Sequence, residues 1–113
     1  MVKIEAKMQG VHFADIRIGT GQNELTIHVE EDRIRMAFLN EEGKPSPCGG
    51  GRKSRIGRTA SPVKTVLVLI DNSIVELFVN DGEQAMTSRI YLEESQLSIA
   101  VKGCPDCRIR KAE

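Results

Sequence analysis

Apolar and polar residues alternate along almost the whole of this chain, and no segment carries the three-and-four spacing of an amphipathic helix. "VKIEAKM" (2–8) sets Val2, Ile4, Ala6 and Met8 on one side of an extended strand. "FADIRIG" (13–19) and "ELTIHVE" (24–30) repeat the pattern on either side of the turn-rich "GTGQN", and "RIRMAFL" (33–39) aligns Ile34, Met36 and Phe38. Alternation stops in "EEGKPSPCGGGRKS" (41–54) and resumes near Ile56. It is strong in "TVLVLI" (65–70), "SIVELFV" (73–79), "AMTSRIYL" (85–92) and "QLSIAVK" (96–102), and Cys107–Arg110 reads as a last short strand. Short strands at regular spacing with turn signals between them predict an all-β chain, an antiparallel two-sheet β-sandwich. The 113 residues suffice for one core and not for two. Residues 1–103 are expected to form the sandwich, with 104–113 a tail that adds an edge strand.

The most informative stretch is "DNSIVELFVNDGEQAMTSRI" (71–90). Asp71-Asn72-Ser73 closes one hairpin and Asn80-Asp81-Gly82 the next, Asp-Gly supplying the positive φ angles of a primed turn. A two-residue loop at Asp81-Gly82 places Leu77 opposite Met86 and Glu76 opposite Thr87, with Arg89 diagonal to Glu76 on the same face. A three-residue loop would bring Met86 opposite Glu76 instead. A carboxylate between Ile74 and Phe78 is better matched by an arginine than by a methionine, which favours the first register. Both faces of this hairpin are apolar, whereas a two-layer sandwich buries only one face of each sheet. Something is therefore expected to cover the other face: the 40–62 loop folded back, a second chain or another domain. Val66, Val68, Ile74 and Phe78 are the candidate partner-face residues.

Lys plus Arg equals Asp plus Glu at 16 each, which argues against nucleic acid or an anionic membrane as partner. No apolar run reaches the roughly 20 residues of a membrane span, and the first residues lack a signal-peptide core, so a cytoplasmic location is expected. Asn40 to Pro62 is the one long irregular segment, of the kind that is functional, interfacial or unstructured. Its basic cluster, Arg52, Lys53, Arg55 and Arg58, has the charge to meet a carboxylate or phosphate, although a solvated loop is the plainer reading. "GGGRKS" has neither the spacing nor the following helix of a phosphate-binding loop. Cys104-Pro105-Asp106-Cys107 is a single C-x-x-C, and Cys48 with His12 or His28 would be needed to complete a zinc site. Reduced thiols in a turn are the plainer outcome, and no cofactor is expected. His28 alternates with Ile27 and Val29 and is expected on a polar face. His12 adjoins a turn, and neither histidine has a nucleophile in register.

"LVLIDNSIVELFVNDGEQAMTSRIYL" (67–92) resembles a segment close to "DRSSVEVFVNDGE…TSRIYP" in the C-terminal β-sandwich of glycoside hydrolase family 32, the invertase, levanase and sucrose-6-phosphate hydrolase group. Asp71, Ser73, Glu76, Phe78, Asn80, Asp81, Gly82 and Arg89 match, while Asn72, Ile74 and Leu92 depart from the usual Arg, Ser and Pro. The resemblance is specific over 65–92 and looser across 2–102. It implies a concanavalin- or lectin-like jelly roll and a structural role for the matching residues, Glu76 included. In that family the chemistry belongs to a separate five-bladed propeller, whose N-D-P-N-G, R-D-P and E-C carboxylate motifs do not occur here. The implied role is a non-catalytic accessory module of a sucrose or fructan hydrolase, partnered by the propeller or by a second copy of itself. The "CPDC" tail and the "PSPCGGGRKS" loop are not features of that module.

Two other functions are weighed beside it. A stand-alone carbohydrate-binding module would need aromatic platforms, and the chain offers only Tyr91, Phe13, Phe38 and Phe78, of which Phe38 and Phe78 read as interior. Weak sugar binding is the most that this composition leads one to expect. A metal- or redox-linked role would rest on "CPDC" and Cys48.

Overall fold

The computed structural model describes residues 2–20, 23–40, 54–59, 61–71, 74–89 and 97–111. Within them lie β1 (Val2–Lys7), β2 (Phe13–Thr20), β3 (Asn23–Glu30), β4 (Arg33–Asn40) and β5 (Ser54–Arg58). They are followed by β6 (Thr65–Asp71), β7 (Ile74–Val79), β8 (Gln84–Arg89), β9 (Leu97–Lys102) and β10 (Cys107–Lys111). The strands form two five-stranded sheets, ordered β10-β1-β6-β7-β8 and β5-β4-β3-β2-β9, with antiparallel pairing throughout. The two-sheet β-sandwich expected from the alternation is the architecture observed. The segment 40–62 is not irregular throughout, because β5 lies inside it and pairs with β4.

Period-two alternation sorts the side chains. Ile4, Val68, Ile70, Val75 and Leu77 of the first sheet face Ile16, Ile18, Leu25, Ile27, Val29, Ile34 and Met36 of the second, and all are buried. Each such side chain contributes on the order of 1.5–3 kcal/mol through removal from water, so this layer holds the sandwich together. Val66 and Val68, expected on a partner face, are 2% and 0% exposed and belong to this core. The pairing of β1 with β6 sets Val68 opposite Ile4 and thereby turns Leu67 and Leu69 outward. Phe78 is half-buried on that outward face, not between the sheets.

The chain crosses from β5 of one sheet to β6 of the other through residues 61–64. Val63 plugs into the core, its N–H donating to the Glu31 carbonyl at 2.7 Å. The Met8 N–H donates to the Lys64 carbonyl at 2.7 Å, tying the crossover to the end of β1. At the far side β10 completes the first sheet as an edge strand, with Ala6 opposite Cys107 and Val2 opposite Lys111.

Candidate functional site

The β7–β8 hairpin closes through Asn80-Asp81-Gly82. Asp81 has φ 57° and ψ 30°, Gly82 has φ 109°, and the Glu83 N–H donates to the Asn80 carbonyl at 3.4 Å. This is the primed reversal expected from Asp-Gly. Glu76 accordingly pairs with Thr87 and Leu77 with Met86, while Arg89 pairs with Ile74. The Arg89 side chain lies outside the described residues, as do Cys48, Arg52, Lys53, Ser73 and Tyr91; of Arg55 and Phe38 only the backbone is described.

Asn80 is the hub of this corner. Its Oδ1 accepts from the N–H groups of Lys64 (2.7 Å) and Thr65 (3.2 Å), and its Nδ2 donates to the Pro62 carbonyl (3.0 Å) and to Glu83 Oε2 (2.8 Å). Glu83 in turn accepts from the N–H and hydroxyl of Ser61. Gln84 reaches the carbonyl of Arg58 in the opposite sheet at 2.7 Å. These groups pin the crossover to the hairpin, which gives the N-D-G-E run a structural task.

The sandwich presents two outward faces of opposite character. On the first sheet Leu67 stands opposite Phe78, Leu69 opposite Glu76, and Asp71 opposite Ile74. Leu67, Leu69, Glu76 and Phe78 are half-buried, Asp71 is exposed, and Ile74 is 37% exposed. Beside Leu67 and Phe78 runs an open groove of about 260 Å³ walled by Lys3, Glu5, Lys7, Thr65 and Asp81. The hydrogen bond from Lys3, at 3.1 Å, holds Glu5 below the usual carboxylate range. The strand neighbours of Glu76 are Leu69 and Thr87, neither of them an acid.

On the second sheet the outward face is polar and interlocked. His28 stands opposite Asp15 on β2 and Arg35 on β4. Its Nδ1 meets Asp15 Oδ1 at 2.5 Å and its Nε2 meets Glu30 Oε1 at 3.2 Å, while Arg33 Nε donates to Glu30 Oε2 at 2.5 Å. Phe13, 47% exposed, stacks near the imidazole with ring centroids 6.3 Å apart. The hydrogen bond to Asp15 holds His28 above its usual value near 6.5, against the downward pull of partial burial, and Glu30 adds to the rise. The hydrogen bond from Arg33 holds Glu30 below the ordinary glutamate range. Sequence reasoning placed His28 on a polar face but missed both partners. The reversal between β2 and β3 carried the signal, since it sets residue 15 against residue 28.

A pH dependence follows from these directions. A histidine whose folded pKa is raised contributes stability that is fully present below its unfolded value and is lost as pH rises through the folded one. A depressed Glu30 contributes stability present above its unfolded value and lost as pH falls through the folded one. Urea midpoints should therefore fall between pH 6 and pH 9, and His28→Gln should flatten that slope. The effect is small because the cluster is solvent-screened.

Cys104 and Cys107 sit as free thiols at the end of the sandwich where β10 begins. Cys104 is buried, and its Sγ donates to the Lys7 carbonyl at 3.3 Å. Burial, with Cys104 and Asp106 nearby, pushes the Cys107 thiol up, which is opposite to what a redox thiol requires. His12 pairs with Glu31 at 3.0 Å on the surface. Among the described residues no group of three or more His, Cys, Asp or Glu is arranged to hold a metal ion.

Residues 51–104 match the family model described as glycosyl hydrolases family 32 C terminal. The chain is 29% identical over 97 residues to sucrose-6-phosphate hydrolase of Staphylococcus xylosus, covering 85% of this chain and 19% of that protein. It is 35% identical over 78 residues to sucrose-6-phosphate hydrolase of Vibrio alginolyticus, covering 69% of this chain and 14% of that protein. The chain thus spans less than a fifth of the length of these curated relatives. Among solved structures, sheep galectin-11 in complex with glycerol superposes with a TM-score of 0.53 at 15% identity, covering 96% of this chain and 87% of that one. That likeness concerns the fold: a galectin-like, concanavalin-like sandwich.

Proposed function

This chain is a member of the glycosyl hydrolase family 32 C-terminal domain, homologous to part of the sucrose-6-phosphate hydrolases, and we propose that it is the non-catalytic accessory sandwich of a β-fructosidase acting on sucrose or fructan. Its task is to seat against the catalytic propeller and stabilise it. The observation that carries this reading is the apolar outward face of the first sheet. Leu67, Leu69, Ile74 and Phe78 form one patch across β6 and β7, where a free sheet face would alternate to polar residues. Lys3 and Glu5 border it along β1 and Asp71 at the end of β6, a charged margin beside an apolar centre as at interfaces. Glu76 sits on this patch with Leu69 and Thr87 as neighbours, whereas glycosidase chemistry needs two carboxyl groups facing each other across the scissile bond.

The test uses the purified chain and a separately expressed family 32 catalytic domain. Alone, the chain is expected to release no glucose from sucrose and no fructose from inulin. Added to the catalytic domain it should raise that domain's melting temperature, and Leu67→Glu or Phe78→Glu should remove the increase while leaving the chain's circular dichroism unchanged. Hydrolysis by the chain alone would overturn the reading, as would a catalytic domain indifferent to the addition.

A further inference from the structure

The structure assigns a second function to the opposite side of the sandwich: we infer that the outward face of the second sheet, around Phe13 and the Asp15–His28–Glu30–Arg33 relay, binds a neutral oligosaccharide. Sugar hydroxyls donate and accept at once, so they are met by side chains that present planar acceptors beside planar donors. Here the two alternate across adjacent strands. Asp15 uses Oδ1 toward His28 and keeps Oδ2 for a further donor. Arg33 uses Nε toward Glu30 and keeps its terminal N–H groups. Arg35, exposed and directly opposite His28 on β4, adds a second guanidinium to the same row.

Because the relay is hydrogen-bonded from β2 through β3 to β4, its members are already oriented and lose little freedom when a ligand arrives. The apolar requirement is met by Phe13. Its half-exposed ring lies beside the polar row and is seated against Gly103, where even a Cβ would come within 3.0 Å of the ring. An aromatic face next to such a row suits the C–H side of a sugar ring. Charge selects among ligands. Asp15 and Glu30 already hold both imidazole nitrogens and Arg33 Nε, and their carboxylates repel an anion drawn toward Arg35, whereas a neutral polyol meets no such repulsion.

The face lies across the core from the apolar patch of the first sheet, so it stays open when that patch is covered. The affinity expected of so shallow a face is weak, on the order of 1–10 mM.

The experiment titrates the full ¹⁵N-labelled chain with nystose and, in parallel, with maltotetraose, cellotetraose and inorganic phosphate, following amide shifts. Saturable shifts on β2, β3 and β4 with any of the three sugars support the site. Selectivity for nystose, a fructan, would further link it to the family reading, on which only the choice of that probe rests. Phe13→Ala and Asp15→Asn should each weaken the response by about five-fold or more, and Arg108→Ala on the first sheet should leave it unchanged. Should Phe13→Ala fold poorly, the exposed Arg35→Ala carries the same expectation. The inference fails if none of the sugars gives a saturable shift, if the shifts map to β6 and β7, or if phosphate binds the face as well as the sugars do. Loss of propeller binding in the Phe78→Glu chain with sugar shifts intact would show the two readings to be separate.

Discussion

Asn80→Ala is expected to lower the stability of this sandwich by about 3 kcal/mol, a large share of the 5–15 kcal/mol typical of a domain. Two contributions add. Four side-chain hydrogen bonds disappear, and the N–H groups of Lys64 and Thr65 lose their acceptor while the Pro62 carbonyl loses its donor. At roughly 0.5–1.5 kcal/mol each, reduced where water can substitute, they amount to about 2 kcal/mol. The second contribution is conformational. Asn80 has φ 50°, where asparagine is tolerated and alanine costs about 1 kcal/mol more.

Thermal unfolding should show a midpoint lower by roughly 10–15 °C for a chain of this size. Asn80→Gly separates the contributions, because it relieves the backbone but restores no hydrogen bond, and should recover about 1 kcal/mol only. A loss below about 1 kcal/mol in Asn80→Ala would mean that the crossover at 61–65 is held by Val63 and the backbone bonds to Glu31 and Met8, and not by the hairpin.

This hub also marks where local sequence stops being informative. Asn80-Asp81-Gly82 announces a hairpin, and the opposition of Glu76 and Thr87 follows from counting outward from the turn. That the Asn80 side chain reaches back 15–18 residues to the crossover is invisible to such counting. The same distinction explains Val66 and Val68. In "TVLVLI" both phases are apolar, so the run cannot state which side faces inward, and the choice is made by pairing with β1, about 60 positions away, where Ile4 meets Val68. The order of the sheets depends on such distant partners: β1 between β10 and β6, and β2 beside β9. Strand positions were legible because alternation is local, whereas strand neighbours are a property of the whole chain. The His28 relay falls between the two. Its partners lie on the adjacent strand and on its own, but choosing Asp15 required the exact residue at which the chain reverses.

Gly103→Ala should be nearly as damaging as Asn80→Ala, and comparison with two other glycines shows why. Gly10 has φ +77° with nothing within 4 Å of an added Cβ, so alanine there meets only the conformational cost, roughly 1–2 kcal/mol. Gly57 is the reverse case. Its added Cβ would come within 2.5 Å of Met86 Cε, but that is the end of a flexible side chain, and rotation of the thioether should hold the cost to about 1 kcal/mol. Gly103 combines a φ of +84° with an approach of 2.6 Å to the Phe13 carbonyl oxygen, a backbone atom fixed at the start of β2. Neither group can give way without moving β2 or the β9–β10 turn, and a loss of about 2–4 kcal/mol is expected. The order Gly103→Ala, then Gly10→Ala, then Gly57→Ala in urea midpoints checks this reasoning, and a Gly57 variant worse than Gly103 would contradict it. The change at Gly103 would also push the Phe13 ring, whose Cε2 and Cδ2 lie 3.0 and 3.2 Å from the added carbon, off its seat beside His28. Sugar-induced shifts should therefore weaken in Gly103→Ala even at temperatures where the variant is fully folded, and persist in Gly57→Ala, because only the first substitution moves the aromatic platform.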